Sequence, residues 1–522
     1  MSSDTPSVEN KTPAAKTDPI ILGVPLALVA LFIIWGQVGG ESLGATMNTA
    51  FKVLTHDVGW LYLLFGFLCI IGALWLIFGR FSHIKFGPPD SRPEFSNWAW
   101  FAMIFATGNG IGIVYWAAAE PLCFFTAPPL HLTPESAEAA EVALAWTLFH
   151  WGWTPWAFYL LLTVPLGYFA YRRGRPLRYS SALPESLRMA WQGNLAKIVD
   201  GILIFALVMG VITSLGLAIK QLSSGLNMRY GIPETAVTVI ILGLCWGLAT
   251  MTSNLLGLRR GMSRLSNLNL YIAYFLLLFV FICGPTRFIL DMGTNALGFV
   301  IDRFPTMSLW TDPVVQGGFP QSWTTFYWAW WLAWAPILAI FVSRISKGRT
   351  IREIVVVHML FAVANSVIWF TIMGSTALHM AMNIDPAMLQ TIKDGNTSRA
   401  IFSVFDNLPF TSAIIPIFML LLFIFLTTTA DSAAYICAQM TTTDTRSQEH
   451  PPRLNRALWS LLMSAVAIYL VIFSNGITAL QLSSLIPSLL VIVFYFMAYV
   501  AFIKDVDKNE FQGLTPKTGR DA

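Results

Sequence analysis

Apolar residues in this chain gather in runs of about 20, the length that a helix needs to cross the hydrocarbon core of a bilayer. Twelve such runs can be delimited, and the fourth and tenth are long enough to tilt or bend. Their approximate limits are 19–38, 58–79, 99–119, 142–170, 198–219, 234–252, 266–286, 323–343, 354–376, 409–437, 457–474 and 482–503. The pattern predicts an all-α integral membrane protein with twelve transmembrane helices.

The order of the spans predicts an internal repeat. The third span opens a run of five and the eighth opens another, and each run begins with an irregular helix. Because five is odd, the second unit must lie inverted in the membrane, as in transporters that bind substrate near the bilayer midplane. The predicted division is a cytoplasmic tail (1–18), two peripheral transmembrane helices (19–95), a first repeat (96–290), an extracytoplasmic linker (291–320), a second repeat (321–503) and a short cytoplasmic tail (504–522).

Basic residues between the spans indicate the orientation. If the N-terminus is cytoplasmic, the inside segments hold 25 of the 32 Lys and Arg residues and the outside segments hold 7. Because Lys and Arg concentrate in cytoplasmic loops, both termini are predicted to be cytoplasmic. The small net charge of +4 then reflects topology, and no nucleic-acid partner is expected.

Composition excludes a soluble globular protein, because 56% of the 522 residues are apolar and only 11% are charged. The five cysteines are scattered and show neither metal-binding spacing nor a disulfide framework. Residues 1–18 are polar and lack the apolar core of a secretory signal, so the first span is expected to be an uncleaved anchor.

The richest aromatic segment is WTTFYWAWWLAWAP, residues 323–336. On a helix one stripe is formed by Trp323, Tyr327, Trp330 and Trp334. Trp331 flanks this stripe and Trp328 points away from it. Such rings form either an aromatic belt at the membrane surface or a cavity that holds an organic cation. Rings that run from one end into the middle of a helix containing Pro336 favour the cavity.

The fourth span contains FHWGWTPWAFY. On an ideal helix Trp151, Trp156 and Tyr159 share an arc of about 140° and could form walls of a box. Trp153 falls outside this arc and is expected to pack. His150 is either a hydrogen-bonded structural residue or a proton carrier.

The third span contains ATGNGIGIVYW, in which Gly108, Gly110 and Gly112 alternate. Each glycine weakens a helix by about 1 kcal/mol relative to alanine. The alternation favours a discontinuous helix over close helix packing, which small residues four apart would explain better. Unwound backbone there would expose carbonyl groups to a cation and N–H groups to an anion.

The tenth span ends with hydroxyl groups and a carboxylate. Thr427, Thr428 and Thr429 either bond back to helix carbonyls or supply oxygen ligands for a small cation. Asp431 is interpreted as the one carboxylate well inside a span. A carboxylate at such a depth suggests function, although helix packing and gating remain open for Asp431.

Two segments identify a family resemblance. SWTTFYWAWW at Ser322–Trp331 and SRISKGRTIRE at Ser343–Glu353 closely resemble the signature of the betaine/carnitine/choline transporter (BCCT) family. Thr325 departs from the aliphatic residue that is usual there. The resemblance runs from about Ile20 to Asp505. It implies a LeuT-like inverted five-helix repeat with two extra N-terminal helices, and a homotrimer in the bilayer.

The resemblance also implies a substrate site and a sodium site. The implied substrate-binding residues are Gly108, Asn109, Gly110, Gly112, Tyr115, Trp151, Trp156, Tyr159, Trp328, Trp331 and Trp334. The implied sodium ligands are the carbonyls of Ala106, Asn109 and Phe425 and the hydroxyls of Thr428 and Thr429. Sodium-independent exchangers of the family carry an Arg where Asn269 stands here. A second sodium site looks incomplete, since Thr213 is present but Ile337 occupies a position that can be aromatic.

The expected function is import of a quaternary-ammonium or sulfonium zwitterion, such as glycine betaine or carnitine, coupled to sodium. Choline carriers of the family tend to have an Asp where Gly112 stands, so its absence favours a zwitterion. The alternatives are a sodium-independent exchanger or a choline/proton symporter of the family, and more remotely a membrane enzyme that uses His150 and Asp431. The expected location is the bacterial cell (inner) membrane, with no enzymatic activity and no cofactor besides the coupling ion.

Overall fold

A computed structural model describes residues 16–39, 49–107, 110–256, 259–443, 451–473 and 477–511. Within these ranges every regular element is a helix. The β pairing of the described residues is confined to two isolated bridges, Thr17 with Thr442 and Lys85 with Thr350. The chain is therefore all-helical over the part described, as the long apolar runs predict.

Fifteen longer helices are numbered here in chain order. They are α1 Pro19–Gly39, α2 Gly59–Phe78, α3 Asn97–Thr107, α4 Ile111–Thr126, α5 Ala137–His150, α6 Trp153–Gly167, α7 Asn194–Tyr230, α8 Ala236–Leu256, α9 Arg259–Cys283, α10 Thr286–Leu309, α11 Thr325–Ile345, α12 Val363–Asn383, α13 Thr411–Met440, α14 Arg453–Phe473 and α15 Ile477–Val506. Shorter helical segments are Val53–Asp57, Pro129–His131, Tyr168–Arg172, Tyr179–Ala182, Glu185–Met189, Ala190–Gly193, Pro320–Thr324, Ile351–Val357, His358–Ala362, Ala387–Lys393, Thr397–Arg399, Ala400–Asp406 and Asp507–Phe511.

Nine helical stretches among the described residues are long and apolar enough to cross a membrane, and Pro19–Trp35 is apolar but shorter. The third and fourth predicted spans are each divided into two helices, α3 with α4 and α5 with α6. Neither half of these pairs has the length of a full crossing. The structure thus shows a multi-pass membrane architecture, while the count of twelve crossings and the inverted repeat remain predictions.

The two chain termini of the described region lie at the same end of the helix bundle, called the terminal end below. The backbone N–H of Asp18 donates to the carbonyl of Thr441 just after α13, at 2.8 Å. Beyond α15, the carboxylate of Glu510 lies 2.6 Å from the guanidinium of Arg172, which follows α6. Arg178, which also follows α6, donates to the carbonyl of Thr442 after α13, so the N-terminal segment and the ends of α6, α13 and α15 meet there.

The predicted linker, residues 291–320, contains most of α10, a helix of 24 residues. Its buried residues Ile289, Met292, Ala296 and Val300 recur every three or four positions, which is the spacing of one helix face. That face packs on α5 and α12. The segment between the two predicted repeats is thus an ordered amphipathic helix rather than an irregular loop.

The centre of the bundle is α11, which packs on α6, α7 and α15. Almost all of its side chains are buried, from Thr325 to Ile345. A helix that is apolar on all sides is expected to lie inside a protein rather than on its surface. Beside α11, α4 packs on α5 and α12, and the ring of Trp116 on α4 contacts that of Tyr327 on α11.

We expect Gly348→Ala to destabilise the protein more than the matched variant Gly395→Ala. Both glycines have positive φ, +82° and +78°, where a side chain costs about 1–2 kcal/mol. At Gly348 the added Cβ would also lie 2.4 Å from the carbonyl oxygen of Arg92, whereas nothing lies within 4 Å at Gly395. Thermal unfolding in detergent measures the difference, and equal losses would contradict the close contact.

Candidate functional site

The glycine segment interrupts the helix as its sequence predicts. The helix α3 ends at Thr107, α4 begins at Ile111, and Gly110 has extended backbone with φ −133° and ψ 173°. A Cβ on Gly112 would lie 2.7 Å from the ring of Trp151 and 2.7 Å from that of Trp330. Only a glycine allows both indoles to approach this backbone so closely. Gly108 and Asn109 lie outside the described residues.

A second break lies between α5 and α6. Gly152 has φ −93° and ψ −133°, and its N–H donates to the carbonyl of Phe149 instead of continuing the helix. A Cβ there would lie 2.6 Å from the carbonyl oxygen of Leu148. Trp151 therefore ends one helix and points inward beside the break at Gly110.

These breaks border a cavity of about 550 Å³, a size typical of small-molecule sites. The tryptophan and tyrosine residues that line it are Trp151, Tyr159, Trp330, Trp331 and Trp334. Trp151 is only 3% exposed, whereas Ser266, Asn267 and Ser432 at the other end of the cavity are exposed. Because Ser432 lies about two turns before the end of α13, the exposed part of the cavity lies toward the terminal end of the bundle.

The rings around Trp331 hold one another in edge-to-face and tilted contacts. The Trp331 centroid lies 5.2 Å from that of Trp151, 5.2 Å from Tyr159 and 5.9 Å from Trp156. Aromatic pairs at such distances gain about 0.5–1.5 kcal/mol beyond their burial. The contacts fix the ring faces that line the cavity.

A second set of rings separates the cavity from the opposite end of the bundle. The Trp323 centroid lies 4.8 Å from Phe124 and 5.5 Å from Trp116, and its ring stacks on Tyr327 at 6.3 Å. The predicted stripe is therefore divided along its length. Trp323 and Tyr327 pack among the rings at the closed end, whereas Trp330 and Trp334 line the cavity.

Three implied substrate residues do not line this cavity. Trp328 is fully buried and packs on Phe149 and Phe158, because its position on α11 faces α2 and α6. Trp156 is 1% exposed and lies behind Trp331. Tyr115 points toward the opposite end of the bundle, where its hydroxyl lies 2.9 Å from that of Thr397.

Most described members of the implied sodium set face the cavity. It is lined by Phe425, Thr428 and Thr429 of α13 and by Asn269 of α9. The Thr428 hydroxyl donates to the carbonyls of Ile424 and Phe425, both at 3.0 Å, which leaves its oxygen lone pairs available. Asn269 is 2% exposed, and its Oδ1 has no hydrogen-bond partner among the described residues.

The remaining implied sodium positions are less complete. The backbone of Ala106 lies in the last turn of α3, and Asn109 is outside the described residues. At the second implied site Thr213 is buried and donates to the carbonyl of Met209 at 3.0 Å, while Ile337 lines the cavity. Thr213 does not line the cavity, so the second implied site stays a prediction.

The sequence singles out Asp431 as the one carboxylate well inside a span, and the structure adds a fully buried carboxylate, Glu120 of α4, which that interpretation does not include. Its Oε2 accepts hydrogen bonds from Trp151 Nε1 at 2.7 Å and from the Tyr327 hydroxyl at 2.5 Å. Its Oε1 lies 2.9 Å from His150 Nδ1. Glu120 follows the predicted limit of the third span by one residue. In the sequence it therefore resembles a charged residue at the end of an apolar run, and the pattern does not indicate that it is buried.

The His150 ring is hydrogen-bonded on both sides. Its Nδ1 pairs with Glu120, and its Nε2 lies 3.0 Å from the hydroxyl of Thr324. The ring also stacks on Tyr327 with centroids 4.7 Å apart. Of the two readings of this histidine, the geometry supports a hydrogen-bonded structural residue.

Comparison with known proteins matches the model for the BCCT, betaine/carnitine/choline family transporter, to residues 20–511. The chain belongs to the BCCT family. This confirms the resemblance read from the two signature segments. As a BCCT protein, the chain is 33% identical over 476 residues to a probable glycine betaine transporter of Desulfitobacterium hafniense, over 90% of this chain and 94% of that protein.

Two further relatives cover similar lengths. The glycine betaine transporter OpuD of Bacillus subtilis is 33% identical over 90% of each chain. The ectoine/hydroxyectoine transporter of Virgibacillus pantothenticus is 32% identical over 92% of this BCCT chain and 95% of that protein. All three relatives are named as transporters, which agrees with the prediction that the chain is not an enzyme.

Proposed function

We propose that this BCCT transporter imports a zwitterion with a quaternary ammonium group, glycine betaine above all, together with sodium. The observation that carries the proposal is the cavity beside two helix breaks, with walls that include the rings of four tryptophans and one tyrosine. The negative faces of Trp and Tyr rings attract quaternary ammonium groups, by about 2 kcal/mol or more when the site excludes water.

The start of α4 suits the other end of a zwitterion. Gly110, Gly112 and Ile113 line the same cavity as the rings. The first N–H groups of a helix have no acceptor within it, and the helix dipole makes that end positive. A substrate carboxylate at the start of α4 would therefore lie opposite an ammonium group among the rings.

The relatives support this substrate class. Two of them are named for glycine betaine and one for ectoine and hydroxyectoine. The volume of about 550 Å³ leaves room for substrates larger than glycine betaine. Carnitine and ectoine therefore belong in any test of substrate choice.

Sodium coupling is supported by the oxygen atoms on one wall. Thr428, Thr429 and Phe425 line the cavity together with Asn269, whose Oδ1 has no hydrogen-bond partner in the part of the chain that the structure describes. Hydroxyl, carbonyl and amide oxygens are the ligands that small hard cations prefer. Asn269 is neutral, so it cannot replace a cation at this wall as an arginine could.

Orientation in the membrane follows from the basic residues. With 25 of 32 Lys and Arg in the segments on one side, the terminal end would be cytoplasmic. The exposed residues of the cavity lie toward that end and buried rings lie toward the other, so the conformation described would be the one that releases substrate inside the cell. We also propose a homotrimer in the bacterial inner membrane, on the family resemblance alone.

Uptake into proteoliposomes tests the proposal directly. Labelled glycine betaine, carnitine, ectoine, choline and dimethylsulfoniopropionate should be compared with an inward sodium gradient and with potassium in its place. Sodium-dependent accumulation of the zwitterions is expected. Equal uptake in potassium would remove the sodium coupling and favour the exchanger, and uptake of choline driven by a proton gradient would favour the choline symporter.

Gly112→Asp should move substrate preference from glycine betaine toward choline, by about fivefold or more in the ratio of affinities. A carboxylate there attracts a lone cation and repels the substrate's own carboxylate. Because a Cβ at this position meets Trp151 and Trp330 at 2.7 Å, volume alone will also perturb the site. Gly112→Asn is the matched control, and an equal shift with Asn would show that charge is not the cause.

A further inference from the structure

Glu120 is a buried carboxylate that the proposed site does not use, and its carboxylate contacts one residue of the cavity wall, Trp151. It is fully buried, and its hydrogen-bonding partners come from two other elements. Trp151 and His150 lie at the break after α5, and Tyr327 lies on α11. Glu120 thus connects α4, the α5–α6 break and α11. The third span, which contains α4, and the eighth span, which contains α11, are the first spans of the two predicted repeats.

The hydrogen bonds indicate which form of Glu120 the network holds. The indole of Trp151 can only donate, so Glu120 Oε2 accepts from it and from the Tyr327 hydroxyl. His150 completes a set of three donors if its proton is on Nδ1 and its Nε2 accepts from Thr324. Three donors favour the carboxylate form.

The donor set leaves a charge that its partners do not neutralise. An indole, a phenol and a neutral imidazole satisfy the hydrogen bonds of Glu120 but supply no positive charge. A buried carboxylate without a cationic partner is unfavourable. A cation bound in the adjoining cavity would offset that cost, because electrostatic attraction is stronger where water is excluded.

Trp151 is the connection between this charge and the cavity. Its Nε1 edge bonds Glu120, its ring lies against Gly112, and it lines the cavity beside Trp331. A hydrogen bond from the indole N–H to an anion adds electron density to the ring, whose face attracts cations. The carboxylate would thus act on a cation that it does not touch.

We propose that Glu120 is a positioning and specificity-determining residue, which fixes Trp151 and supplies through it the negative charge that selects a cationic group in the cavity. The inference rests on the proposed function, since it assumes that the substrate's cation lies among these rings. The proposal places an anionic residue behind the aromatic wall, whose own rings are neutral.

Two other roles for Glu120 fit the structure less well. A proton carrier needs contact with water, yet Glu120 and His150 are both fully buried and neither lines the cavity. A purely structural tie would explain the hydrogen bonds but would treat cationic and uncharged ligands alike. That difference between ligands separates the structural tie from the proposal.

The test compares binding of glycine betaine and its carbon isostere 3,3-dimethylbutanoate, which has the same shape and carboxylate but no cation. Affinities are measured by competition on the purified protein in detergent, with sodium present. Glu120→Gln removes the charge and keeps an acceptor for Trp151 and Tyr327. We expect it to weaken glycine betaine about fivefold and to leave the isostere unchanged or bound more tightly. Equal losses for both ligands would indicate a structural tie and overturn the proposal, as would affinities like those of the parent.

Trp151→Phe keeps a ring on the cavity wall but removes the N–H that joins it to Glu120. It should lower the preference for glycine betaine over the isostere, and Glu120→Gln should then add little in that background. If the double variant loses as much preference for glycine betaine as the two single variants together, the proposal is overturned. An unchanged preference for glycine betaine over the isostere in Trp151→Phe would also overturn it, and this result can be obtained even if Glu120→Gln does not fold.

Asp200→Asn is the matched control for removing a buried carboxylate. Asp200 is 1% exposed, accepts hydrogen bonds from the backbone and side chain of Ser180, and does not line the cavity. Both ligands should keep the parent's affinities in this variant, and a loss of preference like that of Glu120→Gln would overturn the proposal. A parent protein that binds the two ligands equally would overturn the proposed function itself, because the cavity would then not recognise a cation.

Discussion

Replacing Trp331 with leucine should weaken glycine betaine binding by about 1–2 kcal/mol, or roughly tenfold. Leucine keeps the apolar character of the wall but removes the ring face that attracts a quaternary ammonium group. The loss should be large because Trp331 contacts Trp151, Tyr159 and Trp156 and so also holds the neighbouring rings. Equilibrium binding on purified protein in detergent measures the effect.

Trp328→Leu is the matched control, three residues earlier on the same helix. Trp328 is fully buried but packs toward α2 and α6 and does not line the cavity. Its replacement should lower the free energy of unfolding by about 2 kcal/mol or more. The dissociation constant for glycine betaine should stay unchanged. If both variants lose affinity alike, packing rather than cation binding explains the role of Trp331.

Replacing Thr428 and Thr429 together with alanine should raise the sodium concentration for half-maximal uptake by about tenfold or more. Loss of even an outer partner of a bound metal costs about 10–100-fold in affinity, and this change removes two oxygens that face the cavity. Substrate binding at saturating sodium should change little, because the aromatic walls remain. Uptake into proteoliposomes across a series of sodium concentrations provides the measurement.

The neighbouring hydroxyl supplies the control for this change. Thr427 donates to the carbonyl of Phe423 at 2.8 Å, as Thr428 does to carbonyls of its own helix, but Thr427 does not line the cavity. Thr427→Ala should therefore keep the parent's sodium dependence. A parent that works equally well in potassium would show that these oxygens bind no coupling ion.

The helix breaks differ in how far the sequence predicts them. Three alternating glycines predict the break at Gly110, because several weak helix formers within one turn add their costs. A single Gly152 among apolar residues carries no comparable signal, so the fourth span reads as one helix. If the helix is assumed to be unbroken, a rotation of about 100° per residue places Trp151 and Trp156 on one wall. In the structure Trp156 lies behind Trp331 instead.

The buried polar network could not be predicted from local sequence for a different reason. Glu120 meets residues 30, 31 and 207 positions further along the chain. A carboxylate at the edge of an apolar run has the same local pattern as a residue at the membrane surface. Glu120 comes within hydrogen-bonding distance of the Trp151 indole only because α4 packs against the break after α5 and against α11.

The pairing at the start of α1 has a mechanical consequence. Asp18 caps α1 through Ile20 and Ile21, its backbone is tied to Thr441, and its carboxylate lies 2.9 Å from Lys197 of α7. Any tilt of α13 that narrows the cavity mouth must pull the start of α1 with it or break these bonds. Spin labels at positions 16 and 443 should therefore keep their separation through the transport cycle, while labels at 267 and 436 move closer together.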